Sequence, residues 1–143
     1  MDWNKVMGQD VYVVTHYAAD HDITSPMEVV VTAPATGAWW LNAEVLAHAT
    51  EVLLIEEDVT IGVAGTGLTF RRLNRGADYP DKDGPSVEQG GTYTGGTTIY
   101  QAPCNNPNGI RFRMKPSTSY QITVTSKADN NMDALQVMAW KGP

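Results

Sequence analysis

Residues 110–125 read Ile110-Arg111-Phe112-Arg113-Met114-Lys115-Pro116-Ser117-Thr118-Ser119-Tyr120-Gln121-Ile122-Thr123-Val124-Thr125. Apolar and cationic side chains alternate over 110–114, and β-branched residues alternate with polar ones over 120–125. Successive side chains of a strand point to opposite faces, so a period of two marks a strand with one face buried. Upstream, Trp39, Leu41, Ala43, Val45 and Ala47 share one face while Asn42 and Glu44 point the other way. Weaker strands are expected at Val11–Thr15, Glu28–Thr32, Glu51–Glu56, Leu68–Leu73, Val87–Tyr93, Thr97–Gln101 and Leu135–Trp140. Only Ala43–Thr50 has any claim to be a short helix, and its neighbours make a strand the more natural reading.

Turn chemistry separates these runs. Ala35-Thr36-Gly37, Asp81-Lys82-Asp83-Gly84-Pro85, Gly90-Gly91, Gly95-Gly96 and Asn105-Asn106-Pro107-Asn108-Gly109 all hold residues suited to positive or fixed φ. Asn108-Gly109 leads straight into an alternating strand, the signature of a hairpin turn. Gly65-Thr66-Gly67-Leu68-Thr69-Phe70 faintly echoes Gly96-Thr97-Thr98-Ile99-Tyr100-Gln101, which two equivalent corners of one sandwich would explain. With 13 glycines and 8 prolines spread along the chain, no long helix has room to form. Eight to ten short strands imply an all-β, antiparallel β-sandwich, with a jelly roll the preferred topology and an immunoglobulin-like order the alternative.

A chain of 143 residues fits one domain with a real core. Within it, residues 1–25 read as an N-terminal segment, an arm or a first strand, and residues 26–143 as the sandwich. No apolar run approaches the roughly 18–20 residues that span a bilayer, so no membrane partner is expected. Met1-Asp2-Trp3-Asn4-Lys5 has neither a basic nor an apolar leader region, and the expectation is a protein made and used without the usual export route. A net charge of -6 weighs against nucleic acid, whose binders carry a basic footprint.

A catalytic reading finds little to build on, and neither enzyme activity nor a cofactor is expected. Cys104 is the only cysteine, which excludes an internal disulfide and a cysteine-based zinc site. His16-Tyr17-Ala18-Ala19-Asp20-His21-Asp22 could offer imidazole and carboxylate to a metal, but the spacing matches no common zinc pattern and reads better as a polar loop. Glu56-Glu57-Asp58 is the densest acidic cluster, yet consecutive strand residues diverge, so a solvated strand end is the better account. Asp78, Asp81 and Asp83 only loosely imitate a calcium loop, and His48 stands alone. There is no Gly-x-Ser-x-Gly elbow, phosphate-binding loop or dinucleotide fingerprint. Trp39 and Trp40 are adjacent in an alternating strand, so one ring faces the core and the other faces out, as suits an interface, a sugar-stacking platform, or a ring covered by the N-terminal segment or a neighbouring loop.

Several elements occur in an order that resembles tailed-phage virion proteins, trimeric decoration or cement proteins with jelly-roll or related folds. They run from Met27 to Trp140: Thr32-Ala33-Pro34, then Leu53-Leu54-Ile55-Glu56-Glu57, then Gly65-Thr66-Gly67-Leu68 through Asn74-Arg75. Gly96-Thr97-Thr98-Ile99, Lys115-Pro116-Ser117-Thr118-Ser119-Tyr120 and a final strand ending in Trp140 follow. The resemblance implies a homotrimer on the capsid surface of the virion, made in the host cytoplasm and bound to the major capsid protein. Asn74 and Arg75 then become candidates for an inter-subunit or capsid ion pair, or else stabilise their own turn. Trp3, with Val6 and Met7, becomes part of an arm that orders on a partner or of the first strand. A carbohydrate-binding sandwich stacking glycan on an exposed Trp is the alternative from another class.

Overall fold

A computed structural model describes residues 11–21, 26–46, 51–73, 75, 84–103, 109–126 and 131–142, with backbone alone for 17–21 and 131–133. Every regular element among them is a strand: β1 (Val11–His21), β2 (Met27–Thr32), β3 (Trp39–Leu46), β4 (Val52–Val63), β5 (Thr66–Leu68) and β6 (Arg71–Arg72). The series continues with β7 (Ser86–Gln89), β8 (Thr92–Pro103), β9 (Ile110–Arg113), β10 (Ser119–Thr125) and β11 (Asn131–Lys141).

The alternation read from the sequence is the alternation of burial. Along β10, Tyr120, Ile122 and Val124 are wholly buried, while Gln121, Thr123 and Thr125 between them are half-buried. Along β9, Ile110 and Phe112 pack on the core while Arg111 and Arg113 are exposed. Trp39, Leu41, Ala43 and Val45 of β3 enter the same core with Met27, Val29 and Val31 of β2. Burying each of these large apolar side chains contributes about 1.5–3 kcal/mol.

Two antiparallel sheets enclose that layer, ordered β6-β1-β11-β3-β9 (sheet A) and β5-β7-β2-β10-β4-β8 (sheet B). The pairings nest. β1 pairs with β11, β2 with β10, β3 with β9, β4 with β8 and β5 with β7. The chain is thus one long ribbon folded back on itself, then rolled until β11 also meets β3 and β10 also meets β4. Rolling places the inward row of each strand against the opposite sheet, which gives an antiparallel β-sandwich its single dry core. β1 is an interior strand of sheet A, so the boundary drawn at residues 25–26 falls between two strands of one sandwich.

Four expectations need correction. Leu68–Leu73 is not one strand: β5 belongs to sheet B and β6 to sheet A, with Phe70 buried at the crossing. Val87–Tyr93 is broken at Gly90-Gly91, where a Cβ on Gly91 would sit 2.4 Å from the Val63 carbonyl oxygen. Asn108-Gly109 does not join a hairpin, because β8 and β9 lie in different sheets; Asn108 itself is outside the described residues. The positive φ of Gly109 instead serves a close approach to β3, where a Cβ would lie 2.3 Å from the Ala43 carbonyl oxygen.

Gly95-Gly96 is the fourth, a kink inside β8 and no turn between strands. Both glycines have positive φ, and so does Asp58 on β4, in the gap between the pairs Glu57↔Thr97 and Val59↔Gly95. The ladder also bulges at Ile99, which has no partner between Ile55↔Tyr100 and Glu56↔Thr98. Such irregularities bend and twist a ribbon locally. The two segments that echo each other in sequence therefore differ in structure, one forming the edge strand β5 and the other lying within β8.

Gly96 is where this bend tolerates least change: its φ is +100°, and a Cβ would come 2.7 Å from Val59 Cγ1 and 3.3 Å from the Glu57 carbonyl oxygen. Gly95 has φ +70° and open space around it. Gly96→Ala is expected to cost about 1–3 kcal/mol in urea unfolding, and Gly95→Ala clearly less. Equal losses at the two positions would remove the kink as the cause.

Candidate functional site: the outer faces of the sandwich

On sheet A the outward residues form rows. One row runs Arg113, Trp40, Trp140 and Val11 across β9, β3, β11 and β1, and the next runs Arg111, Asn42, Met138 and Val13. Trp40 and Trp140 are thus direct cross-strand neighbours, both half-buried. The Arg111 guanidinium lies over the Trp140 ring at 5.5 Å from its centroid, a cation–π contact. Gly142 closes the end of the row, its amide donating to the Ala38 carbonyl at 2.6 Å, and a Cβ there would come 2.7 Å from Trp40 Nε1. Met138 and Val11 are buried here although neither belongs to the inter-sheet core. Asn42 is also buried, and its Oδ1 has no hydrogen-bond partner among the described residues.

Sheet B presents different chemistry. Glu88, Val30, Gln121 and Glu56 form a row across β7, β2, β10 and β4, with Glu28 beside Thr123 in the next. Gln121 Nε2 donates to Glu28 Oε2 at 2.8 Å. Glu88 Oε2 accepts from the Tyr93 hydroxyl at 3.1 Å and from the Gly65 amide, while the Gly91 amide donates to the Tyr93 oxygen at 3.0 Å. Burial and the Glu88 charge push the Tyr93 phenol above its usual range. The six strands of sheet B contain Glu28, Glu56, Glu57, Asp58 and Glu88 but no Lys, Arg or His. The five strands of sheet A hold Arg71, Arg72, Arg111, Arg113 and Lys141 against Asp20, Glu44 and Asp133.

The acidic cluster Glu56-Glu57-Asp58 lies in the middle of β4 and not at a strand end, because the strand runs on to Val63, and it is not simply solvated. Glu57 Oε2 accepts from the Tyr120 hydroxyl at 2.9 Å, and Glu57 Oε1 accepts from Lys115 Nζ at 2.7 Å. The Lys115 amide in turn donates to the Tyr120 oxygen at 2.8 Å. Asp58, 3.8 Å from Lys115 Nζ, stays mostly exposed. The Lys115 hydrogen bond holds the Glu57 carboxyl below the usual range against the opposing effect of burial. Burial, reinforced by the Glu57 charge, pushes the Tyr120 phenol up to about 12. These groups clasp the middle of β4 to β10 and to the loop that leads into it from β9.

The residues singled out from sequence fall in different places. Trp39 is a core residue, its ring 5.7 Å from that of Tyr12, so of the two adjacent tryptophans only Trp40 reaches an outer face. Arg75 Nη1 donates to the Arg72 carbonyl at 3.3 Å. Trp3, Asn74, His48, Cys104, Asp78, Asp81 and Asp83 lie outside the described residues. His16 is half-buried on β1, with the backbone alone described at His21. Among the described residues no group of three or more His, Cys, Asp or Glu is placed to hold a metal. A shallow groove of about 510 Å³ runs between β1 and the β5–β6 crossing, lined by Val13, Val14, Thr15, Gly67, Leu68, Thr69 and Arg71.

Sequence reasoning missed Trp140, Arg111 and Arg113 as neighbours of Trp40 on one outer face. Alternation had placed both arginines opposite Phe112, but which strands become neighbours is a long-range matter.

No protein-family model matches the chain, and no curated protein matches it. Among solved structures it is similar to the Yersinia pseudotuberculosis-derived mitogen (YPM), at 9% identity and a TM-score of 0.41 over 94% of this chain and 87% of that one. Similarity at that level carries no functional argument.

Two variants test the clasp. Tyr120→Phe leaves Glu57 and the Lys115 amide each short of a partner and is expected to cost about 1–3 kcal/mol of unfolding free energy. Because the folded carboxyl of Glu57 titrates below its ordinary value of 4.5, its stabilisation is present above that value and is lost as pH falls through the folded one. The stability gap between the native chain and Glu57→Gln should therefore be flat near neutral pH and shrink below pH 4.5. A gap that stays constant into acid would mean that the carboxylate charge contributes nothing.

Proposed function

We propose that this protein is a non-enzymatic virion structural protein that decorates or cements a phage capsid as an oligomer, in the first instance a homotrimer on the major capsid protein. The observation that carries the reading is the outer face of sheet A, where Trp40, Trp140, Arg111 and Arg113 lie together. Trp and Arg are the residue types that dominate binding energy at protein interfaces. A stiff sandwich with such a face suits a part that must seat on a shell and on its own copies. The strand orders β1-β11-β3-β9 and β2-β10-β4-β8 we read as a jelly roll, with β5 to β7 added at the far end of the ribbon. Viral capsid and lectin domains both use that architecture, so the fold supports the class of role and not one member of it. The motifs behind the resemblance also act as a unit here, since Glu57, Lys115 and Tyr120 come from two of them and meet in one clasp.

The second reading is a carbohydrate-binding module, favoured by the paired indoles of Trp40 and Trp140 beside two guanidinium groups. Light scattering across a dilution series separates the two. A stable mass near three times 15.6 kDa is expected for the virion protein, with attachment to matching capsid shells weakened by Trp40→Ala. A monomer at every concentration, with glycan binding that quenches tryptophan fluorescence and is lost in Trp40→Ala, would establish the second reading instead.

A further inference from the structure

The charge of this chain is sorted between its two sheets. Its overall balance of -6 hides a basic, aromatic face on sheet A and a face on sheet B whose strands carry five carboxylates and no cation. Arg111 and Arg113 are exposed on one edge of the basic face, and neither forms an ion pair with a described residue. Beside them lie the half-buried rings of Trp40 and Trp140. Charge sorting of this kind makes like faces repel and unlike faces attract. Two basic faces of identical copies oppose each other unfavourably, and so do two acidic ones. A basic face against an acidic one is favourable, and each copy owns one of each.

We infer that copies of this chain associate head to tail, the Trp40–Trp140–Arg111–Arg113 face of sheet A seating on the Glu28–Glu56–Glu88 face of sheet B of the next copy. The inference rests on the oligomer reading above and names the surfaces that make it. A contact between two different faces is heterologous, so it closes into a ring when the rotation per copy permits and otherwise extends. The two indoles supply desolvated apolar area at the centre, and the arginines supply the fork that matches carboxylates. Both acidic rows retain acceptor capacity: Glu56 has no hydrogen bond among those seen, and Glu28 and Glu88 each use one oxygen. The attraction is between exposed arginines and half-buried carboxylates at the surface, so added salt must weaken it as the screening length falls from about 10 Å at 0.1 M to about 3 Å at 1 M.

Sedimentation velocity on the full chain tests this with a pair of charge-reversed variants, R111E/R113E and E28R/E56R, each checked for native far-UV circular dichroism and melting. The wild type is expected to be oligomeric at low salt and to dissociate as salt rises. Each variant alone should lose association by tenfold or more in dissociation constant. Mixed together they should associate again, because each restores the charge the other lacks. R111Q/R113Q, which removes charge without reversing it, should lie between wild type and reversal. An oligomer whose mass R111E/R113E leaves unchanged would overturn this assignment of faces while leaving the oligomer itself standing. A wild type that stays monomeric at low salt and high concentration would overturn both. Variants that lose association but fail to recover it on mixing would also exclude the head-to-tail pairing.

Discussion

Tyr120 is the point on which most of the molecule depends. Its ring is wholly buried in β10 and packs on Phe112 of β9, centroids 5.1 Å apart, so one contact joins the two sheets across the core. Its hydroxyl sits at the rim, where it donates to Glu57 and accepts from the Lys115 amide. A buried phenol is tolerable only with its hydrogen bonds made. The polar clasp and the apolar layer are therefore one arrangement. With β10 fixed, its neighbours β2 and β4 are fixed in register on either side, Ile122 standing opposite both Val29 and Ile55.

The rolled ribbon follows from the same burial requirement. Folding the chain in half satisfies the backbone of both arms by antiparallel pairing, but it leaves each strand with one apolar face still in water. Rolling the ribbon removes those faces from solvent together. The roll demands bends, and the chain supplies them at positions where a side chain could not fit. At Gly91 and Gly96 a Cβ would meet the backbone or core atoms of the facing strand at under 3 Å. Asp58 shares the second bend with a positive φ of its own.

What the molecule offers to others is set by the residues left outside. Cations and carboxylates are interspersed along the chain, yet every Arg and Lys on a strand stands in sheet A, beside Asp20, Glu44 and Asp133, while the strands of sheet B carry carboxylates alone. Arg111 and Arg113 are close to Lys115 in sequence, yet the arginines stand on the outer face of sheet A while Lys115 serves Glu57 of sheet B. A surface sorted in this way has a direction, which a symmetric distribution would lack. Directed contacts are what the proposed assembly role would need to repeat a single geometry.

The period of two was legible in the residues themselves, because the pleat of a strand dictates it without reference to anything distant. From it came the strand class, the inward rows of 39–45 and 120–124, and the opposition of Arg111 and Arg113 to Phe112. It also required that one of Trp39 and Trp40 turn inward and the other outward. Glycine patterns were less legible: Gly90-Gly91 does interrupt strands, whereas Gly96 and Gly109 serve close approaches that depend on what lies opposite. Tertiary structure alone decided that Trp40 stands beside Trp140, exactly one hundred residues away, and that Glu57 reaches Tyr120. It also chose Trp39 as the ring that joins Tyr12 in the core. Side-chain direction is a property of the local backbone, but adjacency between strands is settled only when the whole ribbon closes on its core.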